Sequence, residues 1–316
     1  MALYEIKPER ATLHGHFSRD LPPCLTIEPG DTVRFRTLEA NWSLAPRRTS
    51  SRSEVPAFFE PRSPETDGGH ALCGPVFVQG AEPGMTLEVR IDAVVPGDWG
   101  YVYAGGWQTP LNDRLGVSQN EGVIHNWALD AETMTARNQH GHSVRMRPFL
   151  GVMGMPEDVP GRQSTTPPRR TGGNLDCREL VAGSSLFLPI AVPGGLFSAG
   201  DGHAAQGDGE VSGLAIECPM AQADLTFHLH PALSIATPRA ETPAGKLTLG
   251  FGETLDEAMG NALDAMLDWM GELYGLSRPD ALALASVAVD LRVTQVVNGV
   301  QGVHALLPPG ALMPKR

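Results

Sequence analysis

The sequence has few of the residues that mark several large classes of protein. It contains four cysteines in 316 residues, and no two of them form a Cys-x-x-Cys pair, which excludes a zinc ribbon and a small disulfide scaffold. Basic residues are also scarce: 24 Lys and Arg face 36 Asp and Glu, so the formal net charge is −12. That charge argues against binding to a nucleic-acid backbone or to an anionic membrane.

Long apolar segments are missing as well. No run of about 20 apolar residues is present, and the N-terminus does not have the pattern of a secretory signal. We therefore expect a cytoplasmic protein with reduced thiols and no membrane partner.

Turn-forming residues, by contrast, are abundant. The chain has 36 glycines and 27 prolines, and 41% of its residues are hydrophobic. Frequent turns with few long helical patterns favour many short strands. We predict a β-rich α+β fold with an antiparallel β-sandwich-like core and a C-terminal helix pair and hairpin. The length suits a single domain (1–316), in which a β-rich body (about 1–250) carries a docked α/β portion (about 251–316).

Strands are predicted on both sides of two similar turns. Residues 24–27 and 32–36 flank the turn at Pro29-Gly30, where proline presets one backbone angle and glycine supplies a positive one. The turn at Pro83-Gly84 precedes a second predicted strand at 85–94, and residues 70–78 form another.

Helices are predicted only near the C-terminus. Thr254-x-x-Glu257 is a capping box, and apolar residues follow at helical spacing until Gly275 ends the pattern. Ser277 begins a second, shorter helix through Ala288. Residues 290–297 and 300–307 then predict a hairpin around Asn298-Gly299, a pair that readily forms a type I′ turn.

The segment 200–210 carries the most unusual chemistry in the chain. It contains Asp201, His203, Asp208 and Glu210, with glycines at 200, 202, 207 and 209. Uncompensated charges are costly to bury, and four glycines disfavour a helix, so the pattern predicts a tight loop between strands. Carboxylate oxygens and a neutral imidazole suit a divalent cation. In extended backbone, Asp201 and His203 share a face, whereas Glu210 needs a turn to reach them.

Four further residues are candidate site residues that also have structural interpretations. His70 begins a predicted strand, where site residues and structural histidines are both common. His14 lies two residues from His16, a spacing that fits either a pair of metal ligands or two polar side chains that face solvent. Asn174 and Asp176 follow two glycines; Asp176 could be a ligand, a residue that orients a ligand, or a helix cap.

Several blocks of the sequence form one recognisable pattern. They are, in chain order, His70-x-Leu72-x-Gly74-Pro75-Val76, Gly80-Ala81-Glu82-Pro83-Gly84, Gly172-Gly173-Asn174-Leu175-Asp176, Leu188-Pro189, Gly200-Asp201-x-His203 with Gln206-Gly207-Asp208-Gly209-Glu210, and Ser286-x-Ala288-x-Asp290-Leu291. Together these blocks resemble the acetamidase/formamidase family of amide hydrolases, although Met85 and Glu39 stand where family members commonly have Asp.

The resemblance implies a β-rich fold with a C-terminal α/β portion, a homo-oligomer (dimer or higher), and hydrolysis of a small aliphatic amide to carboxylate and ammonia. It also implies a metal, usually zinc.

The chemistry of amide hydrolysis suggests roles for these residues. Water must be activated, the oxyanion stabilised and the departing nitrogen protonated, and bound zinc can supply the first two. We expect Asp201 and His203 to bind the metal, with Glu210 or His70 completing the set. Glu82, or failing that Asp208, is the expected general base, and Asn174 the donor to the amide oxygen. Residues expected to orient these groups or to contact substrate are Asp176, Gln206 and His14.

Three alternatives remain open at this level. Some similar family members open lactam rings, so the substrate could be a γ-lactam or another cyclic amide. Cys73 could act as a nucleophile with His70 as its base, if its thiol pKa is lowered. The chain could also be a small-molecule-binding protein that has lost activity.

Overall fold

The computed structural model describes residues 1–51 and 53–313. These residues form two large sheets and three helices, and the predicted β-rich fold is confirmed. The strands are β1 (Leu3–Ile6), β2 (Leu13–His14), β3 (Leu25–Ile27), β4 (Thr32–Phe35), β5 (Leu72–Val78), β6 (Thr86–Pro96), β7 (Trp99–Ala104), β8 (Val123–Asp130), β9 (Thr135–Asn138), β10 (Ser143–Arg145), β11 (Phe149–Gly154), β12 (Pro168–Arg169), β13 (Gly172–Asn174), β14 (Ser185–Pro189), β15 (Phe197–His203), β16 (Glu217–Cys218), β17 (Met220–His230), β18 (Arg239–Thr242), β19 (Gly245–Gly252), β20 (Asp290–Gln295) and β21 (Gln301–Leu307). The helices are α1 (Pro110–Leu115), α2 (Leu255–Tyr274) and α3 (Arg278–Ala288).

The first sheet has nine strands in the order β1-β4-β17-β6-β14-β18-β19-β21-β20. The strands at its centre are long, and β6 pairs with β17 in antiparallel register from Met220↔Pro96 to His230↔Thr86. Only β1 and β4 pair in parallel among the described strands of this sheet.

The second sheet has twelve strands, and β15 lies at its centre. This strand pairs antiparallel with β11, β16 and β5. The two sheets pack through aromatic side chains: Phe197 of β15 lies 6.3 Å from Phe35 and 5.1 Å from Phe227, measured between ring centroids. Burial of such large apolar side chains is the main favourable term in folding, so this layer holds the sheets together.

The predicted strands at 24–27 and 32–36 are present, but they do not pair with each other. β3 pairs in parallel with β5 in the second sheet, and β4 joins β1 and β17 in the first. The turn at Pro29-Gly30 therefore passes the chain from one sheet to the other.

The two C-terminal helices match the sequence prediction. Thr254 caps α2 by accepting a hydrogen bond from the Glu257 N–H, and Gly275 ends it with a φ of 64°. Ser277 caps α3. α2 packs on β19 so closely that a Cβ on Gly250 would lie 2.2 Å from the Ala258 carbonyl oxygen. Within the part of the chain that the structure describes, no helix combines the length and apolar character needed to span a bilayer.

The C-terminal hairpin is present, but its turn differs from the prediction. Five residues separate Gln295 at the end of β20 from Gln301 at the start of β21, and only Gly299 of the Asn-Gly pair has a positive φ, 76°. A type I′ turn would need both. The Gln295 side chain instead organises the turn by accepting hydrogen bonds from the Val297 and Asn298 N–H groups.

Candidate active site

The first four residues of the segment predicted as a loop belong to a buried strand. Gly200, Asp201, Gly202 and His203 belong to β15, and the irregular part begins only after His203. The glycines here permit close packing: a Cβ on Gly200 would lie 2.5 Å from the Ala71 carbonyl oxygen, and one on Gly202 would lie 2.5 Å from that of Cys218. The prediction of a loop was wrong for residues 200–203, because it treated Gly200 and Gly202 as turn formers although neighbouring strands pack against them, and it holds for residues 204–210.

Four carboxylates surround the imidazole of His203. One group comprises Asp201, His203 and Glu217, and a second comprises Asp176, His203 and Glu210; within each, the candidate ligand atoms lie within 4.8 Å of one another. All five residues are buried. We call Asp176, Asp201, His203, Glu210 and Glu217 the carboxylate–histidine cluster.

Strand pairing places Glu217 in the cluster. Glu217 begins β16 and lies directly opposite His203 of β15. His203 Nε2 is 3.3 Å from Asp201 Oδ1 and 3.4 Å from Glu217 Oε1. The distances join one ring nitrogen to two carboxylates, so a single cation at this nitrogen would contact all three groups.

Gln206 determines which nitrogen of the neutral His203 imidazole carries the proton. Its Nε2 donates to the Asp176 carbonyl oxygen at 2.7 Å, so its Oε1 is the atom that faces His203 Nδ1, at 2.9 Å. Because Oε1 can only accept, Nδ1 carries the proton. In neutral His203 the lone pair is therefore on Nε2, the nitrogen that faces Asp201 and Glu217. A lone pair between two carboxylates requires a proton or a metal ion.

The titration of the cluster reflects this crowding of negative charge. Burial, reinforced by neighbouring carboxylates, raises the pKa of Glu210 and of Glu217 to about 8. Burial would also raise the pKa of Asp201, but the adjacent imidazoles of His203 and His70 hold it well below its usual range. Conversely, burial opposes the charged form of His203, yet Glu217 and Asp201 raise the pKa of His203 well above its usual value.

Backbone strain concentrates in the same place. Asp176, Asp201 and Glu210 have φ values of 46°, 58° and 47°, a region that residues with a side chain seldom occupy. Strain of this kind costs about 1–3 kcal/mol per residue and is retained where the surrounding structure requires it. Three members of one cluster share this feature, which supports a functional role for the cluster.

The cluster also contains space and unsatisfied oxygens that suit a metal ion. Gly151 of β11 lies beside it, and a Cβ there would be 2.4 Å from Asp201 Oδ2 and 2.7 Å from Asp176 Oδ1. One carboxylate oxygen each of Asp176, Glu210 and Glu217 is buried without a hydrogen-bond partner. Buried oxygens of this kind normally have partners. Carboxylates with one imidazole are a donor set that zinc accepts, so the residues fit a divalent cation.

Three other predicted site residues, His70, Asn174 and His14, are outside the cluster, and each has its own hydrogen-bond partners. His70 contributes to the low pKa of Asp201, and its Nδ1 is 2.8 Å from Thr165 Oγ1. Asn174 donates through Nδ2 to the Thr166 carbonyl oxygen at 2.9 Å, while its Oδ1 is buried without a partner. His14 is fully engaged: Nδ1 is 2.7 Å from the His16 carbonyl oxygen, Nε2 is 3.0 Å from Ser198 Oγ, and burial lowers its pKa to about 4.

The structure does not bring the two expected general bases to the cluster. Glu82 is exposed in the turn after β5, whereas β15 pairs near Asp201 with the other end of that strand. At about 3.3 Å per residue, the seven-residue strand separates the two by roughly 20 Å. Asp208 is paired with Arg292, whose Nε donates to Asp208 Oδ2 at 2.8 Å. Neither carboxylate is positioned to exchange a proton at the cluster within this chain.

The rival nucleophile is also poorly placed. Cys73 is fully buried, and its Sγ donates to the Arg36 carbonyl oxygen at 3.3 Å. Burial raises the pKa of its thiol far above the ordinary value, which opposes formation of the reactive thiolate.

Two members of the site escaped the sequence analysis. Glu217 stands between Ile216 and Cys218 in an apolar stretch, and an acidic residue within a buried strand is an unusual pattern that could have identified it. Asn298 was interpreted as a turn residue, yet its Nδ2 donates to Asp176 Oδ2 at 2.5 Å. Only the approach of the hairpin to β13 reveals that contact.

Comparison with known proteins relates this chain to a family of amide hydrolases. Residues 4–163 and 158–238 match the model of the Acetamidase/Formamidase family. The acetamidase of Mycolicibacterium smegmatis is 25% identical over 256 residues, covering 63% of this chain and 61% of the relative. The formamidase of Methylophilus methylotrophus is 26% identical over 249 residues, covering 63% and 60%.

The likeness in structure extends over nearly the whole fold. The solved structure of an acetamidase from Bacillus halodurans has a TM-score of 0.83 at 24% identity, covering 96% of this chain and 97% of that chain. In sequence, by contrast, the chain spans about three fifths of the length of the curated relatives that it matches.

Proposed function

Because the chain belongs to the Acetamidase/Formamidase family, we propose that it hydrolyses a small linear amide to a carboxylate and ammonia with a metal ion bound in the carboxylate–histidine cluster. One observation carries the metal assignment. His203 Nε2, the acceptor nitrogen, faces Asp201 and Glu217 at 3.3 and 3.4 Å, and Gln206 orients the ring. The names of the relatives support the choice of a linear amide.

In this proposal Asp201, His203 and Glu217 hold a divalent cation, zinc in the first instance. Glu217 takes the place for which the sequence suggested Glu210 or His70. Zinc bound there would supply an activated water and a polarised carbonyl group, the two features that a resonance-stabilised amide most needs. Gln206 keeps the imidazole in the tautomer that a metal requires.

We assign proton exchange to Glu210, with Asp176 beside it. Hydrolysis joins the hydroxyl of water to the acyl carbon and adds a proton to the departing nitrogen, so a group must accept and return one proton. Burial raises the pKa of Glu210 to about 8 in the metal-free chain, so this carboxyl is able to hold a proton near neutral pH. Its Oε2, which is buried without a hydrogen-bond partner, is the atom we propose for this exchange.

The direct test is release of ammonia from formamide, acetamide and propionamide by purified protein, with and without added zinc. We expect turnover that correlates with bound zinc, measured by elemental analysis of the same samples. His203→Ala should abolish both, whereas the matched surface variant His140→Ala should retain both. Metal-free protein that hydrolyses these amides at the full rate would refute the metal assignment. Fully metallated protein that releases no ammonia would favour a binding protein instead.

Two further properties are proposed. The family supports a homo-oligomer, and the four free cysteines support a cytoplasmic location. Light scattering of the purified protein tests the first, and fractionation of the source cells tests the second.

A further inference from the structure

The C-terminal hairpin reaches the carboxylate–histidine cluster from a distant part of the chain. Asn298, in the turn between β20 and β21, donates through Nδ2 to Asp176 Oδ2 at 2.5 Å, across 122 residues of sequence. Residues 239–316 lie outside the two segments that match the family model. The hairpin therefore supplies a side chain to the cluster in addition to those that the matched segments supply.

The turn itself does not require asparagine at this position. Only Gly299 of the Asn-Gly pair has a positive φ, so Asn298 has a negative φ, which residues of every type adopt. Its backbone N–H donates to Gln295 Oε1 at 3.1 Å, a bond that any residue except proline can make. Of the hydrogen bonds that the structure shows for Asn298, only the one to Asp176 uses the side chain.

The hydrogen bond from Asn298 determines which oxygen of Asp176 faces the cluster. Oδ2 accepts from Asn298, whereas Oδ1 is buried without a hydrogen-bond partner among the described residues and lies 4.0 Å from His203 Nδ1. A Cβ on Gly151 would be 2.7 Å from the same Oδ1, so this oxygen lies on the side where the carboxylates converge. Loss of the Asn298 donor would leave the carboxyl group free to turn about its terminal torsion, which has only broad energy wells.

The same hairpin also holds Glu210, through the backbone of the residue before it. The Gly209 N–H donates to the Thr294 carbonyl oxygen at 3.0 Å, and the Val296 N–H donates to the Gly209 carbonyl oxygen at 3.2 Å. These bonds accompany a parallel bridge between Gly209 and Gln295. The end of β20 and the turn after it therefore hold both residues to which we assign proton exchange, one by its backbone and the other by its side chain.

Proton transfer is sensitive to this geometry. A group that accepts and returns a proton acts over hydrogen-bond distances of about 2.6–3.2 Å, and a misplacement of about 1 Å can cost about 100-fold in rate. Asp176 follows β13, whereas Glu210 lies in the irregular segment after β15. The hairpin thus links two segments that are not neighbours in sequence.

We propose that Asn298 is a positioning residue for proton exchange: it holds Asp176 Oδ2 so that Oδ1 faces the cluster, and the hairpin that carries it sets the distance between Asp176 and Glu210. This role rests on the proposed function, which assigns proton exchange to these two residues. The hydrogen bonds of Asn298 go to Asp176 and Gln295 rather than to the proposed metal ligands. Its loss should therefore slow the reaction without removing the metal.

The test measures kcat, KM and zinc content for Asn298→Leu, which removes the donor at nearly constant size, and for the matched exposed variant Asn120→Leu. We expect Asn298→Leu to lower kcat for acetamide by about 10–100-fold, as for other groups that orient a reacting residue, and to leave KM within about twofold and zinc content unchanged. Asn298→Gln keeps a side-chain N–H donor and should recover most of the lost rate. Asn120→Leu should change none of the three quantities.

A second background separates positioning of Asp176 from a general structural effect. Asp176→Asn removes the carboxyl group, and asparagine tolerates the φ of 46° at this position. Because Asn298 acts through that group, Asn298→Leu should lower kcat by less than about twofold in the Asp176→Asn protein. An equal loss of kcat in both backgrounds, loss of zinc from Asn298→Leu, or full activity of that variant would overturn the positioning role and leave the proposed function intact. Parent protein that releases no ammonia from any amide would overturn both.

Discussion

Glu217 Oε1 lies 3.4 Å from His203 Nε2, and the two residues face each other across adjacent antiparallel strands. Asp201 Oδ1 approaches the same nitrogen at 3.3 Å from two residues earlier on the His203 strand. The site is thus built on paired β-structure, where hydrogen bonding between strands holds each ligand in place. Such rigidity suits a metal site, whose ligands must keep a defined geometry.

The first prediction concerns Glu217, which the sequence did not single out. Glu217→Gln keeps the shape of the side chain but removes the charge that faces His203 Nε2. We expect metal content to fall and kcat to drop by more than about 100-fold, because loss of a ligand exceeds the 10–100-fold effect typical of outer partners. Elemental analysis and ammonia release measure the two effects. Glu241→Gln, an exposed change on β18, is the control; unchanged metal content in Glu217→Gln would remove Glu217 from the ligand set.

The second prediction concerns Gln206, which orients His203 without facing the carboxylates. Gln206→Leu removes the acceptor of the Nδ1 proton and the donor to the Asp176 carbonyl oxygen. Metal affinity should weaken by about 10–100-fold, and activity should recover at saturating zinc. Titration of metal-stripped protein with zinc gives the affinity. Gln206→Glu, which keeps an acceptor for Nδ1, should restore most of it; a Gln206→Leu variant with normal affinity would show that the ring needs no such support.

The third prediction uses the space beside the cluster. In Gly151→Ala the new methyl group would lie within 2.7 Å of oxygens of both Asp201 and Asp176, so at least one carboxylate must move. We expect loss of metal and activity with little change in circular dichroism. Gly260→Ala on α2 is the control, since a Cβ there has nothing within 4 Å. That variant should gain up to about 1 kcal/mol of stability from helix propensity. Full activity in Gly151→Ala would show that the cluster accommodates a methyl group at this position without displacing Asp201 or Asp176.

The fourth prediction is a dependence of stability on pH in metal-free protein. In the folded chain Glu210 and Glu217 have a pKa of about 8, whereas the unfolded chain has ordinary glutamates with a value near 4.5. Between these values the folded state holds protons that the unfolded state has released, so stability falls as pH rises from about 4.5 to about 8. Metal replaces those protons, and added zinc should therefore raise the melting temperature more at pH 8 than at pH 6.

Thermal melts of chelator-treated protein between pH 5 and 9 test this dependence. Glu217→Gln removes one of the buried groups whose pKa is raised and should flatten the slope. A melting temperature that rises steadily through this range without metal would show that the two glutamates are ionised in the folded chain.

The fifth prediction separates metal from thiol chemistry. Treatment with a strong chelator should abolish ammonia release, and zinc should restore it. Iodoacetamide should leave the initial rate unchanged, because Cys73 is fully buried and burial raises its thiol pKa. Inactivation by iodoacetamide that substrate prevents would reinstate a cysteine mechanism.

Local rules account for the elements that the sequence predicted well. The capping box at Thr254, the stop at Gly275 and the strands at 24–27 and 32–36 depend on neighbours within a few residues, and all are present. The prediction of a type I′ turn at Asn298-Gly299 was wrong because Asn298 hydrogen-bonds instead to Gln295 and Asp176. Asp176 lies more than a hundred residues away along the chain, so no local pattern could reveal it.

The sequence by itself determined the composition of the site: a short segment with Asp201, His203 and Glu210, and with the glycines that tightly packed strands require. Only the tertiary structure decided which carboxylates meet the imidazole. It brought Glu217 across a strand pair, placed Asp176 through β13, engaged Asp208 with Arg292 and left Glu82 at the far end of β5. The sequence states which chemical groups are present. The distances between side chains depend on strand register, and contacts between remote parts of the chain establish that register.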